Sequence, residues 1–308
     1  MPPNPDEIAR FLDELCAHMH DLNQWGQVAN YIPELARIDP AQFGIAVALA
    51  DGRILRSGQA DVGFSIQSIS KVFSLACVLG RIGEQVWNRV GREPSGDRFD
   101  SILLLEQEKG RPRNPFINAG ALVVTDELLT GRTPAQALSE VMNFIRATAE
   151  DDDIHIDKAV ALSEAETGHR NTALAHYLRS FGNLHNAPEL TLGTYFHQCA
   201  IEMTCTQLAR AGRFLAHLPG APKMLSPAKV RRINALMMTC GHYDGSGNFA
   251  YRVGMPAKSG VGGGLLVIAP GKASIGIWSP GLDAWGNSQI GTLAAERLAE
   301  FTGWSVFG

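Results

Sequence analysis

Long apolar runs are missing from this sequence of 308 residues. None reaches the roughly eighteen residues that a membrane-crossing helix needs, so no membrane partner is expected. Cysteine is scarce: Cys16, Cys77, Cys199, Cys205 and Cys240 are five in all, too few and odd in number for a disulfide framework. Most of them stand in apolar helical stretches and read as small core residues. Positive charge is not in excess, since 27 Lys and Arg face 31 Asp and Glu for a net charge of −4. The basic residues are scattered and not interleaved with aromatics, which excludes the electrostatic footprint of a nucleic-acid binder. No Cys-x-x-Cys or His-Glu-x-x-His occurs, and His169, His176, His185 and His197 are dispersed, so no metal site is expected. The first residues, Met1-Pro2-Pro3-Asn4-Pro5-Asp6-Glu7, are acidic and proline-rich, unlike a secretory signal, and the expected location is the cytoplasm.

An apolar content of 45% with 19% charged residues fits an ordinary globular protein, and the length allows one large core or two closely packed lobes. Residues 7–37 read as helical, with Glu7 to Met19 amphipathic and a short turn at Tyr31-Ile32-Pro33-Glu34-Leu35. Phe43 to Ala50 has the pattern of a buried strand, Asp51-Gly52 signals a hairpin, and Arg53 to Ser57 returns with alternation. From residue 68 to about 240 the signals are helical, with loops at 91–97, 110–120 and 182–194. Strands are expected again at Gly263 to Ala269 and Ala273 to Ser279, joined by Pro270-Gly271-Lys272, and a helix from about Ser288 to Phe301 follows. The run Glu150-Asp151-Asp152-Asp153 reads as a solvated loop. Strands from both ends would share one sheet, giving a sheet lobe (about 30–62 and 245–308) and a helical lobe (about 63–244) of a single catalytic unit.

Two clusters carry chemistry together. Ser68 and Lys71 are three apart, and on a helix that spacing places both side chains on one face, with Cβ atoms about 5–6 Å apart. The amine can take the hydroxyl proton if burial or a second cation lowers its pKa. Lys258-Ser259-Gly260-Val261-Gly262-Gly263-Gly264, far downstream, offers that cation and backbone N–H groups for an oxyanion. A second Ser-x-x-Lys, at Ser226 to Lys229, has a simpler reading: Ser226 is an N-cap, Pro227 the first helical residue, and an apolar helix follows through Met238. The helix after Ser68 is almost wholly apolar from Val72 to Leu79, an unusual setting for a lysine.

With those residues in place the chain resembles the bacterial glutaminase family. The resemblance runs from Tyr31 to about Ser288. It is carried by Tyr31-Ile32-Pro33-Glu34-Leu35-Ala36, Gln67-Ser68-Ile69-Ser70-Lys71, Asn114-Pro115-Phe116-Ile117-Asn118-Ala119-Gly120-Ala121 and the stretch from Ser163-Glu164 through Arg170-Asn171. Tyr195-Phe196, Cys240-Gly241-His242-Tyr243-Asp244, Pro256-Ala257-Lys258-Ser259-Gly260-Val261 and Trp278-Ser279-Pro280-Gly281-Leu282-Asp283 complete it. His242 between Gly241 and Tyr243 is a departure expected to be harmless.

The resemblance implies an α/β (α+β) fold of the serine β-lactamase and transpeptidase kind, a mostly antiparallel sheet flanked by helices plus a large helical lobe. It implies hydrolysis of L-glutamine to L-glutamate and ammonia through a γ-glutamyl ester on Ser68. Lys71 would act as base and Tyr243 as its relay partner and donor to the departing ammonia. The oxyanion would lie between the N–H groups of Ser68 and Val261. Glu164 would pair with the substrate ammonium, and Tyr31, Gln67, Asn118, Asn171 and Tyr195 would bind the rest. Lys258, Arg170 and Asp244 would support these residues. No cofactor is implied, and a homo-oligomer, dimer or tetramer, is. On the residues alone, plainer alternatives stay open: Asn118 as a turn or cap, Glu164 as an acid early in a helix, Tyr31 and Tyr195 as core. Rival functions are hydrolysis of another amide, reaction with β-lactams, or glutamine binding without turnover.

Overall fold

Asp51-Gly52 turns the chain back on itself as its sequence predicts. Gly52 lies at φ +92°, where a side chain would be strained, and Leu49 N–H donates to the Arg53 carbonyl across the turn (2.9 Å). The computed structural model describes residues 3–22, 24–96 and 98–308. Met1 and Pro2 of the acidic start, Asn23 of the helical stretch 7–37 and Asp97 of the loop 91–97 lie outside the described residues.

The strands are β1 (Gly44–Leu49), β2 (Ile54–Gly58), β3 (Phe64–Ser65), β4 (His155–Ile156), β5 (Ile201–Met203), β6 (Ala257–Ser259), β7 (Gly264–Ala269) and β8 (Ala273–Trp278). The helices begin with α1 (Pro5–His20), α2 (Pro33–Ala36), α3 (Ser70–Ile82), α4 (Leu103–Gln107), α5 (Asn118–Leu129), α6 (Pro134–Ala149) and α7 (Lys158–Thr167). They continue with α8 (His169–Ser180), α9 (Pro188–Cys199), α10 (Cys205–Ala211), α11 (Pro227–Cys240), α12 (Ser246–Val253) and α13 (Gln289–Thr302).

Strands from both ends of the chain form one antiparallel sheet in the order β2-β1-β8-β7-β6. Every position of β1, β7 and β8 is buried, as expected of strands covered on both faces. Ile45, Val47, Leu265 and Ile277 pack with Ile8 and Leu12 of α1 and Leu298 of α13. Ala46, Ala48, Leu266 and Ile268 belong to the larger apolar cluster that includes α3, α5, α9 and α10. Each fully buried aliphatic side chain contributes about 1.5–3 kcal/mol. α10 lies within the helical stretch 68–240 yet packs directly on β1 and β8, so the middle of the chain also covers the sheet.

Four expectations need correction, the first being the helical reading of 7–37: α1 ends at His20, the next helix is only Pro33–Ala36, and Gln27 between them bridges to Leu282 in extended form. A second sheet, β3-β5-β4, lies inside the stretch read as helical or as lead-in; its strands are two or three residues long, too short to show alternation. The loops end earlier than expected, because α5 already starts at Asn118 and α9 at Pro188, where the proline is a helix-starting residue and not a loop residue. α11 starts after Ser226 as predicted, but the Ser226 hydroxyl makes no capping bond, and the helix runs on to Cys240.

Asp126 of α5 ties the loop before α9 to the helix beneath it. Its buried carboxylate pairs with Arg89 and accepts the backbone N–H groups of His185 (2.9 Å) and Asn186 (2.8 Å). These bonds hold the Asp126 carboxyl below the usual carboxylate range against the opposing effect of burial. Asp126→Asn keeps the shape but turns an N–H towards a donor, and is expected to cost about 2–3 kcal/mol. Urea unfolding measures this, and a midpoint equal to wild type would refute the network's role.

Candidate active site

Ser68 sits in a 3₁₀ turn, Gln67–Ile69, that leads directly into α3, so the expected single helix through Ser68 and Lys71 is a turn followed by a helix. The face-sharing survives, because side chains three apart eclipse one another in 3₁₀ geometry. Gln67 enters the turn at φ +49°, a left-handed conformation unusual outside glycine. The stretch after Lys258 lies flat against this turn. A Cβ on Gly260 would stand 2.4 Å from the Ile66 carbonyl oxygen and 3.3 Å from the Ser68 nitrogen, and one on Gly262 would stand 2.2 Å from the Ser65 oxygen. Only glycine permits that approach, and it brings the Val261 backbone beside Ser68.

Lys71 is completely enclosed, and its Nζ donates to the Phe116 carbonyl (3.2 Å) and to Asn118 Oδ1 (2.7 Å). Both partners are neutral. A neutral amine has two N–H groups and one lone pair; these two acceptors use both N–H groups and leave the lone pair for a proton. Burial pushes the Lys71 ammonium down to about 8. Of the two causes the sequence leaves open, burial or a second cation, it is burial that lowers Lys71. The repulsion acts the other way, for burial and the Lys71 charge together hold Lys258 well below the usual lysine range. Lys258, on β6, is enclosed, has no carboxylate partner among the described residues and donates to the carbonyls of Gly241 (3.0 Å) and Ser259 (2.6 Å).

Tyr243 begins a 3₁₀ turn at φ +54°. Phe99 leans on its ring (centroids 4.6 Å apart), and Lys258 Nζ lies 4.5 Å from its centroid. Its buried hydroxyl has no hydrogen-bond partner among the described residues. Burial pushes it up to about 12, while neighbouring Ser68 and Ser259 pull it back. Ser68 is therefore close to the phenol but short of a hydrogen bond. Backbone bonds pin this strained residue in place: Ser246 Oγ donates to the Tyr243 carbonyl (2.8 Å), and Asn287 Nδ2 donates to that of His242 (3.2 Å). The His242 ring, expected to be harmless, is buried, stacked on Phe249 and held neutral by burial and Lys258.

Glu164 lies deep in α7 rather than at its start, and is buried. Gln67 Nε2 bridges to it at 3.5 Å and to Ser65 Oγ at 2.9 Å, so the residue before Ser68 touches the carboxylate directly. Burial pushes the Glu164 carboxyl up to about 8; Gln67 and Lys71 pull it back. Asn118, the first residue of α5, links the remaining groups. Its Oδ1 accepts from Lys71 and from the Tyr195 hydroxyl (3.3 Å), and its Nδ2 donates to Asn171 Oδ1 (2.9 Å). That chain leaves the Asn171 N–H groups for a ligand.

Tyr31, half exposed, forms with Arg98 and Phe99 a wall common to two cavities. One, of about 460 Å³, is lined by Asn118, Glu164 and Asn171. The other, of about 530 Å³, is lined by Tyr243, Val261 and Trp285. Arg170 lines the smaller cavity from an exposed position and pairs with Asp100 at 3.2 Å, while Asp244 lines the larger cavity. Phe99 and Asn287 were not identified from the sequence; each sits in an irregular loop whose composition gives no cue to its contacts. Among the described residues no group of three His, Cys, Asp or Glu is arranged to hold a metal ion.

A family model described as Glutaminase matches residues 26–307. The glutaminase of Rhodopseudomonas palustris (strain HaA2) is 59% identical over 309 aligned residues, which cover 99% of this chain and 99% of that protein. The chain belongs to the glutaminase family. Among solved structures, the probable glutaminase ybaS superposes with a TM-score of 0.94 at 34% identity, covering 99% of both chains. A probable glutaminase from Bacillus subtilis complexed with 6-diazo-5-oxo-L-norleucine superposes with a TM-score of 0.88 at 34% identity, covering 99% of this chain and 97% of that one. With these neighbours the fold is the β-lactamase-like one expected, an antiparallel sheet flanked by helices.

Proposed function

We propose that the chain hydrolyses L-glutamine to L-glutamate and ammonia with Ser68 as nucleophile. The observation that carries this reading is Lys71: an enclosed amine three residues after Ser68, with both its hydrogen bonds made to neutral oxygens. Lys71 takes the proton of Ser68 Oγ as that oxygen adds to the side-chain carbonyl of glutamine. The tetrahedral oxyanion rests between the N–H groups of Ser68 and Val261. Its collapse breaks the C–N bond, and ammonia leaves with a proton relayed through Tyr243, whose unpartnered hydroxyl suits that task. Water then cleaves the γ-glutamyl ester by the reverse route. Glu164 pairs with the substrate ammonium; Asn171, Tyr195 and Tyr31 hold the rest. The solved relative with 6-diazo-5-oxo-L-norleucine, an L-amino acid whose carbonyl at carbon 5 matches that of glutamine, supports the same reading.

Ammonia release from L-glutamine, L-asparagine and a β-lactam tests it. Release from glutamine alone is expected, and its absence in the folded protein would refute the proposal. We further propose that this single catalytic unit of two lobes assembles as a dimer or tetramer in the cytoplasm, supported by its family membership. Among the described residues no helix is long and apolar enough to cross a membrane.

The pH dependence has a definite sign. In the free enzyme Glu164 must be ionised and Lys71 neutral, and both forms appear as pH rises through about 8. kcat/KM is therefore expected to climb between about pH 6 and pH 9, falling more than tenfold per unit on the acid side where both groups are protonated. Once bound, the substrate ammonium holds Glu164 ionised, so kcat should show the Lys71 step alone. A kcat/KM that stays flat over this range would contradict the assignment.

A further inference from the structure

If the smaller cavity holds the amino-acid end of glutamine, as proposed, the scissile carbonyl lies near the wall made by Tyr31 and Phe99, and the amide nitrogen faces Tyr243. A site serving glutamine alone needs no room beyond that point, because ammonia carries no substituent. Yet the cavity of about 530 Å³ opens there, with Tyr243 and Val261 at its inner end. Its walls are mixed: Arg98, Asp244 and Gln289 are polar, while Val28, Phe99, Leu282 and the half-exposed indole of Trp285 form an apolar strip. The Trp285 ring lies over Gly245, and its backbone N–H donates to Asp283 Oδ1 (2.9 Å). The same carboxylate oxygen accepts the Asn287 N–H (3.0 Å), so Asp283 shapes the loop that presents the indole.

We infer that this second cavity is a subsite for the N-substituent of γ-glutamyl amides, and that the enzyme also hydrolyses γ-glutamyl amides of primary amines with an aromatic or aliphatic tail. The inference rests on the glutaminase reading and extends its substrate class. The chemistry is unchanged: Ser68 Oγ adds to the carbonyl, the C–N bond breaks, and the amine RNH₂ leaves with the proton relayed through Tyr243. Water then releases glutamate and regenerates Ser68. The tail would lie against Trp285 and Phe99, gaining contact that glutamine cannot make.

The probe is L-γ-glutamylbenzylamide, with benzylamine and glutamate measured by chromatography, beside L-glutamine as reference. Wild type is expected to cleave both. Trp285→Ala should lower kcat/KM for the benzylamide about tenfold, the equivalent of about 1.4 kcal/mol, and change it less than about twofold for glutamine. Ala284→Trp, at an exposed position on the same wall, should likewise impair only the benzylamide. Turnover of glutamine without any of the benzylamide overturns the subsite and leaves the glutaminase reading intact. Equal effects of either variant on both substrates also overturn it, since the cavity would then be a common access route. Failure to turn over glutamine itself refutes both readings.

Discussion

Ser68→Ala is expected to reduce kcat for L-glutamine by about 10⁴-fold or more, the scale on which nucleophile removal acts when the other groups of the site work as a unit with it. Binding should survive, because Glu164, Asn171 and Tyr195, the residues proposed to hold the amino-acid end, are untouched. The substitution removes one hydroxyl at a buried turn, so the unfolding midpoint should stay near wild type. Single-turnover kinetics and glutamine titration of the variant separate the two effects. Residual turnover within about tenfold of wild type would show that another group forms the covalent bond, or that water attacks directly. A binding module without catalysis would lose nothing, so this variant also distinguishes the rival class of function.

Glu164→Gln comes second in expected effect. The amide keeps the shape of the carboxylate but removes its charge, leaving the substrate ammonium enclosed and unpaired. Separating one partner from a buried ion pair costs about 3–5 kcal/mol, so kcat/KM should fall by about 10³-fold, mostly through KM. A second signature accompanies it. Glu164 is one of two groups whose ionisation makes kcat/KM rise with pH, so the variant's acid limb should become shallower, governed by Lys71 alone. An unchanged slope would point to a different residue as the ammonium's partner. Loss of kcat at unchanged KM would move Glu164 from binding to catalysis.

Much of the fold is legible in the amino-acid order because its signals are local. The buried run at β1, Asp51-Gly52, the pair β7 and β8 around Pro270-Gly271-Lys272, and the helix after Ser288 each declare themselves within ten residues or so. β3, β4 and β5 do not, since strands this short exist only through their partners. The same division runs through the site. Ser68, Lys71, Glu164 and Asn118 are named by motif, and their motifs also announce a family. The left-handed backbone at Gln67 and Tyr243 is invisible in advance, because neither residue advertises a positive φ as glycine would. The electrostatics differ for a related reason. A sequence shows that two lysines are present but not that both are removed from water, and burial, with the charge of one acting on the other, sets how readily each gives up its proton.

Gly260 and Gly262 lie against the backbone of Ser65 to Ser68, although nearly two hundred residues of chain separate the two segments. One half of the proposed oxyanion seat is therefore made when the turn at Ser68 folds, and the other only after β6 and β7 have joined the sheet. During synthesis the ribosome delivers Ser68 and Lys71 long before Val261. A nascent chain carrying the nucleophile has no means of stabilising the charge that an attack would create. On the proposed mechanism, catalytic competence therefore waits for the sheet to close.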